Sequence, residues 1–161
     1  QPTFPVGLHD LRGKFQFHDV ADSVISIDGY QIISRLVPHI GPTVGYRIEF
    51  GGASIAYISD HQQPYDGSFA VPDGVRELVE GVDLLIHDAQ YTMEEFADKA
   101  HWGHCTAEFA VGIGLACRAK RVALYHHDPD RTDDQLDATR ACSASAGMEV
   151  FVAREGVTIA L

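Results

Sequence analysis

Cysteine is scarce in this chain and does not pair. Cys105, Cys117 and Cys142 are an odd count, spread widely, with no Cys-x-x-Cys spacing. That argues against a disulfide framework and against a thiolate zinc site. Cys117 and Cys142 fall in helix patterns and read as small buried hydrophobes. Basic residues are also few: 12 Lys and Arg stand against 23 Asp and Glu, a formal net charge of -11. With no basic patch to release counterions, passive binding to a DNA or RNA backbone is disfavoured. A phosphate ester substrate remains open, because bound divalent cations make a pocket locally positive whatever the overall charge. No apolar run approaches the roughly 20 residues of a membrane span. No basic-then-apolar leader is visible either, which predicts a cytoplasmic protein with no membrane partner. Internal repeats, low-complexity stretches and linkers are absent. The start at Gln1-Pro2 instead of Met suggests a processed or truncated N-terminus.

What is present is ordinary globular composition, 45% hydrophobic and 22% charged, over 161 residues. That suits one domain, 1–161, burying about 70% of its unfolded surface if it folds alone. Period-two character predicts strands over Lys14–Val20 and Tyr30–Val37, with a turn at Asp28-Gly29. Thr43–Phe50 and Ser54–Ser59 form the clearest hairpin, linked through Gly51-Gly52. Residues 62–72 are a loop marked by Pro64, Asp66-Gly67 and Pro72. A short helix over Asp73–Glu80, closed by Gly81, precedes a buried strand at Asp83–Ile86. Thr92 with Glu95 three residues on has capping-box spacing, and Thr106–Ala119 is an apolar helix. Arg121–Tyr125 is a strand, and Thr132 with Gln135 opens a helix to about Ser145. Met148–Ala153 and Val157–Leu161 suggest a closing hairpin. Strands in antiparallel order, then strands alternating with helices, predict an α/β mixed sheet covered by helices on one face.

Ligand-type side chains sit where apolar strands run out, and several strands ending so at one rim would build a pocket. His39 stands among Pro38, Gly41 and Pro42 on a sharply turning backbone, as a metal ligand or as a turn histidine bonded to a carbonyl. Asp60 ends Ile55-Ala-Tyr-Ile-Ser59. A carboxylate there is costly to desolvate unless paired or metal-bound, though it could instead cap the following turn. Its two oxygens can bridge two metals. His61 beside it reads as a surface or supporting residue. His126 ends Val122-Ala-Leu-Tyr125 and favours a ligand role, with His127 and Asp128 as candidates to orient it. His104 precedes a helix opening, where a proton donor or a group steadying developing negative charge would be well placed. A histidine merely flanking the helix is the alternative. His87 and Asp88 end another strand and are assigned to hold a ligand or shape the pocket. His and Asp together suit zinc or a similar divalent ion.

These segments together resemble the metallo-β-lactamase fold superfamily, in particular its ribonuclease Z-like and cyclic-nucleotide-phosphodiesterase-like hydrolases. The matching stretches are His39-Ile-Gly-Pro-Thr-Val-Gly-Tyr46-Arg-Ile-Glu49, Ser59-Asp60, His87-Asp-Ala-Gln-Tyr91, Gly103-His104-Cys-Thr-Ala-Glu108 and Leu124-Tyr-His126. They recur in the family's order. The resemblance implies a site of two metal ions, usually zinc, with His39 on one, Asp60 bridging and His126 on the other. It implies His104 as the histidine assisting at the scissile phosphate, and metal-bound hydroxide as nucleophile. The implied reaction is hydrolysis of a phosphodiester or similar ester, with a small phosphoester as substrate.

Three departures qualify that expectation. No His-x-His-x-Asp-His run precedes these segments, so the chain resembles the C-terminal half of an αββα sandwich. It then supplies at most three first-shell ligands and is expected to be inactive alone. The uncovered sheet face should drive dimerisation, or pairing with the missing N-terminal half. The alternative is a non-catalytic fragment or assembly module that keeps half the fold. Second, tRNA-processing relatives carry a long basic arm between the strands ending near Glu49 and Asp60. Here only Phe50-Gly-Gly-Ala-Ser54 connects them, so tRNA processing is not expected. Third, Cys105 stands where the family motif has a Ser helix cap completed by Glu108, a weaker cap.

Overall fold

In a computed structural model, which describes residues 7, 10, 12–142 and 147–161, seven strands hydrogen-bond side by side in chain order. They are β1 (Val24–Ile27), β2 (Tyr30–Val37), β3 (Thr43–Phe50), β4 (Ala53–Ile58), β5 (Leu84–Asp88), β6 (Arg121–Tyr125) and β7 (Glu149–Val152). The first four form an antiparallel meander, and β4 to β7 run parallel. Four helices lie in the later part: α1 (Asp73–Val79), α2 (Met93–Lys99), α3 (Ala107–Ala116) and α4 (Asp133–Cys142). Gly51 and Gly52, with φ of 60° and 89°, make the β3–β4 turn two residues long. Two positive φ values in succession match the twist of a tight hairpin. Among the described residues, no helix is long and apolar enough to cross a membrane.

Helices α1, α3 and α4 pack on one buried layer of the sheet, and Phe96 of α2 joins a separate small cluster with Tyr91 and Ala100. Gly45 in β3 lets α1 approach closely: an added Cβ would fall 2.7 Å from Leu78 and 3.0 Å from Ile58. Gly114 does the same for α3 over Val122. Ala56, Ile58, Leu85, Val122 and Leu124 point from the sheet into this buried layer, and Leu136 of α4 packs against its edge. The register puts the alternate residues on the other face, where Tyr46, Tyr57, Ile86, Ala123 and Phe151 stand in one cross-strand row. Only part of that face is covered, where Val157 and Ile159 join Tyr57, Ile86 and Phe151 around a cleft of about 300 Å³.

Several sequence expectations change. Lys14–Val20 is not a strand; the partner of β2 is Val24–Ile27, and the alternating Phe15 and Phe17 are exposed. β4 begins and ends one residue earlier than read, α3 stops at Ala116, and β5 runs on to Asp88. The closing hairpin does not form. The crossover through α4 brings β7 in parallel to β6, and Val157–Leu161 is not a strand. The expected continuation of α4 to Ser145 falls outside the described residues.

Candidate metal centre

β2, β4, β5 and β6 all point their carboxyl ends to the same rim, because β2 and β4 are both antiparallel to β3 and β4 to β6 are parallel. That topology brings His39, Asp60 and His126 together from positions far apart in the chain. The loop after α2 adds His104. One donor atom each from His39, Asp60 and His104 lies within 4.8 Å of the others. His126 Nε2 stands 3.6 Å from Asp60 Oδ1, and its ring centre is 4.9 Å from that of His104. All four residues are half-buried. Two or three imidazoles and a carboxylate facing one small space suit a borderline divalent ion such as zinc.

Each donor is held from behind. His39 Nδ1 accepts a long, weak bond from the Gly41 amide at 3.4 Å, a contact that would give way if Nε2 took a metal, since the single ring proton would then sit on Nδ1. Gly103 abuts the Nε2 side: its φ is +97°, and a Cβ there would lie 2.6 Å from His39 Nε2. Ser59 donates through its hydroxyl to Asp60 Oδ2, leaving Oδ1 on the His126 side. His126 itself adopts φ 54°, a left-handed conformation that turns the chain sharply after β6.

The fully buried Asp88 organises the floor. Its Oδ2 accepts from His104 Nδ1 at 2.8 Å and from the His61 amide at 3.0 Å, and its Oδ1 accepts from the Gln90 amide at 3.1 Å. His104 therefore presents Nε2 to the pocket. Burial alone would lower the His104 pKa, but the bonded Asp88 carboxylate, with Asp60 nearby, holds it above the ordinary histidine value. Tyr91, edge-on to the His104 ring, is pushed up to about 12 by burial and by the carboxylates of Asp128, Asp88 and Glu95.

His87 Nδ1 lies 2.8 Å from the Asp88 carbonyl oxygen, so it must be the donor there. His87 Nε2 then accepts from His61 Nδ1 at 2.9 Å. Burial drives His61 well below the usual histidine range, with the His87 neighbour adding to it, and burial also lowers His87. Cys105 donates its thiol to the Asp88 carbonyl, and burial pushes it well above the ordinary thiol value. His127 is half-buried, which lowers its imidazole. Asp128 engages the Asp130 amide at 3.0 Å and Lys99 at 3.3 Å, and Lys99 also sits over the Tyr91 and Trp102 rings.

The sequence brought His39, Asp60, His104, His126 and Asp88 into view and missed Gln62 and Gln63. Of the two readings of His61, surface or supporting, the surface one fails: it is completely buried against His87 and Phe109. Gln62 accepts from the Gly103 amide at 2.9 Å and donates to the Ala100 carbonyl. Gln63 accepts from the Thr106 amide and hydroxyl. These two buried amides fasten the loop carrying His104. A Gln-Gln doublet beginning two residues after Asp60 was the available signal. The α3 cap is Thr106, accepting from the Phe109 amide at 3.1 Å, so Cys105 is not a weak cap but a buried thiol.

Comparison with known proteins fits this geometry. The family profile described as beta-lactamase superfamily domain matches residues 6–127. Ribonuclease Z of Halobacterium salinarum is 34% identical over 94 residues, 58% of this chain and 30% of that protein. Zn(2+)-bound PqqB from Methylobacterium extorquens superposes with TM-score 0.66 at 20% identity, covering 88% of this chain and 54% of that one. Human tRNase Z, short form, gives TM-score 0.63 at 24% identity, covering 84% and 45%. The chain thus spans under a third of the curated relative's length and about half of the solved ones.

Proposed function

The chain belongs to the beta-lactamase superfamily domain family, and from that membership we propose that it forms part of a metal-dependent hydrolase of phosphodiester bonds. The observation that carries this reading is the meeting of His39, Asp60 and His104 donors within 4.8 Å, with His126 beside Asp60. His39, Asp60 and His126 would hold zinc, with Asp60 placed to bridge two ions. A divalent ion there would bring the pKa of coordinated water towards neutrality and polarise a phosphoryl oxygen. His104, oriented by Asp88 and with its pKa raised by that carboxylate against the effect of burial, would deliver a proton to the leaving oxygen. His87 steadies Asp88 through its carbonyl. His127 and Asp128 shape the turn that carries His126.

Two metals need more ligands than these residues supply. The remainder comes from a further polypeptide segment, which also covers the open sheet face. On substrate, the relatives named ribonuclease Z favour an RNA phosphodiester over a small phosphoester. The two-residue β3–β4 turn offers no arm at that place to grip a folded RNA. The bond type is therefore the proposal, and the test carries both substrates.

A second reading, an assembly module without catalysis, is favoured by one observation, the apolar row from Tyr46 to Phe151, which no helix among the described residues covers and the segment around Val157 and Ile159 covers only in part. Metal content, and hydrolysis of bis(p-nitrophenyl) phosphate and of a short RNA, should be measured on this chain and on a version extended upstream. Zinc uptake with turnover in the longer version supports the hydrolase. No metal and no turnover in either supports the assembly module.

A further inference from the structure

Trp102, the one tryptophan of the chain, stands two residues before His104 and is 61% exposed. Tryptophan is highly buried on average, so an indole left in water beside a candidate centre is unusual. Its backbone is held all the same. The Trp102 amide donates to the Lys99 carbonyl at 3.0 Å. The next residue, Gly103, donates to the Gln62 side chain and abuts His39 and Ile40. One fastened loop therefore carries both the indole and His104.

Lys99 joins the indole to the metal side. Its Nζ lies 5.8 Å from the Trp102 ring centre and 5.1 Å from that of Tyr91. Tyr91 is in turn edge-on to His104, with ring centres 6.0 Å apart. The ammonium also donates at 3.3 Å to Asp128, two residues after His126. That carboxylate takes one of three N–H donors, and the Lys99 side chain is 31% exposed, so donors remain for a ligand. The neighbouring His101 ring packs against Tyr65, 4.4 Å between centres. Among the described residues, Lys99 alone meets the Trp102 ring.

Charge decides what such a ring can take. At a net charge of -11 the chain has few cations to hold a run of phosphates. Stacking needs none, since every base has a flat face and aromatic rings bind single strands through it. A base inside a duplex has both faces covered by its neighbours, so the ligand must be unpaired. Building on the phosphodiester reading of the metal centre, we propose that Trp102 is a stacking platform for an unpaired nucleobase beside the scissile bond, with Lys99 engaging a phosphate oxygen of the same nucleotide. The substrate class is then a single-stranded nucleotide phosphodiester, in place of a base-free phosphoester or a folded RNA. Trp102 and Lys99 select that substrate and take no part in the chemical step.

The test uses the whole 161-residue chain, whose single tryptophan reports its own stacking. Adenosine 5′-monophosphate should quench Trp102 fluorescence saturably, beyond the collisional quenching of N-acetyltryptophanamide. Adenosine should bind up to about fivefold more weakly, and ribose 5-phosphate should leave the emission unchanged. Lys99→Gln should remove the advantage of the monophosphate over adenosine and keep the quench. Trp102→Ala should lose at least about fivefold in affinity for the monophosphate by NMR titration, and Trp102→Phe should recover part of it. With the indole exposed, neither substitution at 102 should change the circular dichroism. Purely collisional quenching in the unaltered chain, or undiminished binding by Trp102→Ala, overturns the proposal. So does a version extended upstream in which Trp102 is shielded from acrylamide. No turnover enters these readings. Hydrolysis without a saturable quench removes the platform and keeps the hydrolase; a quench without hydrolysis in the longer version does the reverse.

Discussion

Asp88 and His104, sixteen positions apart, meet at 2.8 Å with the carboxylate entirely out of solvent. That bond ties the floor of β5 to the loop that brings His104 over the rim. It stands on a shared hub, because the same carboxylate takes the His61 and Gln90 amides. Asp88→Asn keeps the shape but turns an acceptor-only group into a half-donor facing three donors. We expect it to cost about 3 kcal/mol of stability by urea denaturation. Metal uptake should suffer less than stability does. A variant as stable as the original would mean that the hub is decorative.

Gly103→Ala tests the close approach to His39. At φ +97° an alanine is strained, and its Cβ would sit 2.6 Å from His39 Nε2. The backbone strain alone is worth about 1–3 kcal/mol. Because the clash falls on the nitrogen offered to the site, zinc affinity should drop more steeply than stability. Equal zinc titration curves for variant and original would show that His39 Nε2 is not a donor.

Local signals were legible where one element determines its own shape. β3 and β6 lie as read because their alternation and β-branched content act along a single strand. The Thr92–Glu95 capping box is satisfied in both directions. Phe15 and Phe17 alternate like a strand, yet they lie upstream of β1 and form no ladder, and alternation cannot supply a partner. The same limit hid His61. Its burial depends on His87, which arrives from β5 through parallel pairing with β4. Nothing adjacent to His61 announces that neighbour. The Met148–Ala153 strand forms as β7, but its expected hairpin partner Val157–Leu161 is not a strand, the same limit as at Phe15 and Phe17.

Asp60→Ala and His104→Ala should separate holding the metal from moving the proton. In a version extended upstream, Asp60→Ala should lose zinc and turnover together. His104→Ala should retain zinc and lose about 10²–10⁴-fold in kcat, the usual weight of a positioned proton donor. Zinc loss in His104→Ala would instead make His104 a ligand, which its place among the three converging donors allows.

Asp83 gives a pH dependence well away from the site. Lys120 holds its carboxylate at 2.7 Å, and the Ser54 amide and hydroxyl add two further bonds, which lowers its pKa from 3.8 to about 2. A depressed carboxylate stabilises the fold above its unfolded pKa and loses that contribution as pH falls through its folded one. The stability difference between the original chain and Asp83→Asn should therefore be full at pH 7. It should shrink below about pH 4 and be lost as pH falls through about 2. Exposure of Lys120 keeps the ion-pair share to about 1 kcal/mol or less. A difference that persists undiminished at pH 2 would assign the effect to packing.

Ile86 stands mid-row on the sheet face opposite the helices, paired across to Tyr57 and Ala123, in the cleft that Val157 and Ile159 partly cover. An apolar sheet face left open to water drives association, whether with a second copy or with the segment that completes the site. Ile86→Glu places a charge at the centre of that face without touching the helix-covered layer, where Leu85 and His87 point. It should leave the far-ultraviolet circular dichroism unchanged. In sedimentation velocity, the original chain should self-associate as its concentration rises, and the variant should stay monomeric. An original chain that remains monomeric throughout would show that the C-terminal segment around Val157 and Ile159 covers this face well enough by itself.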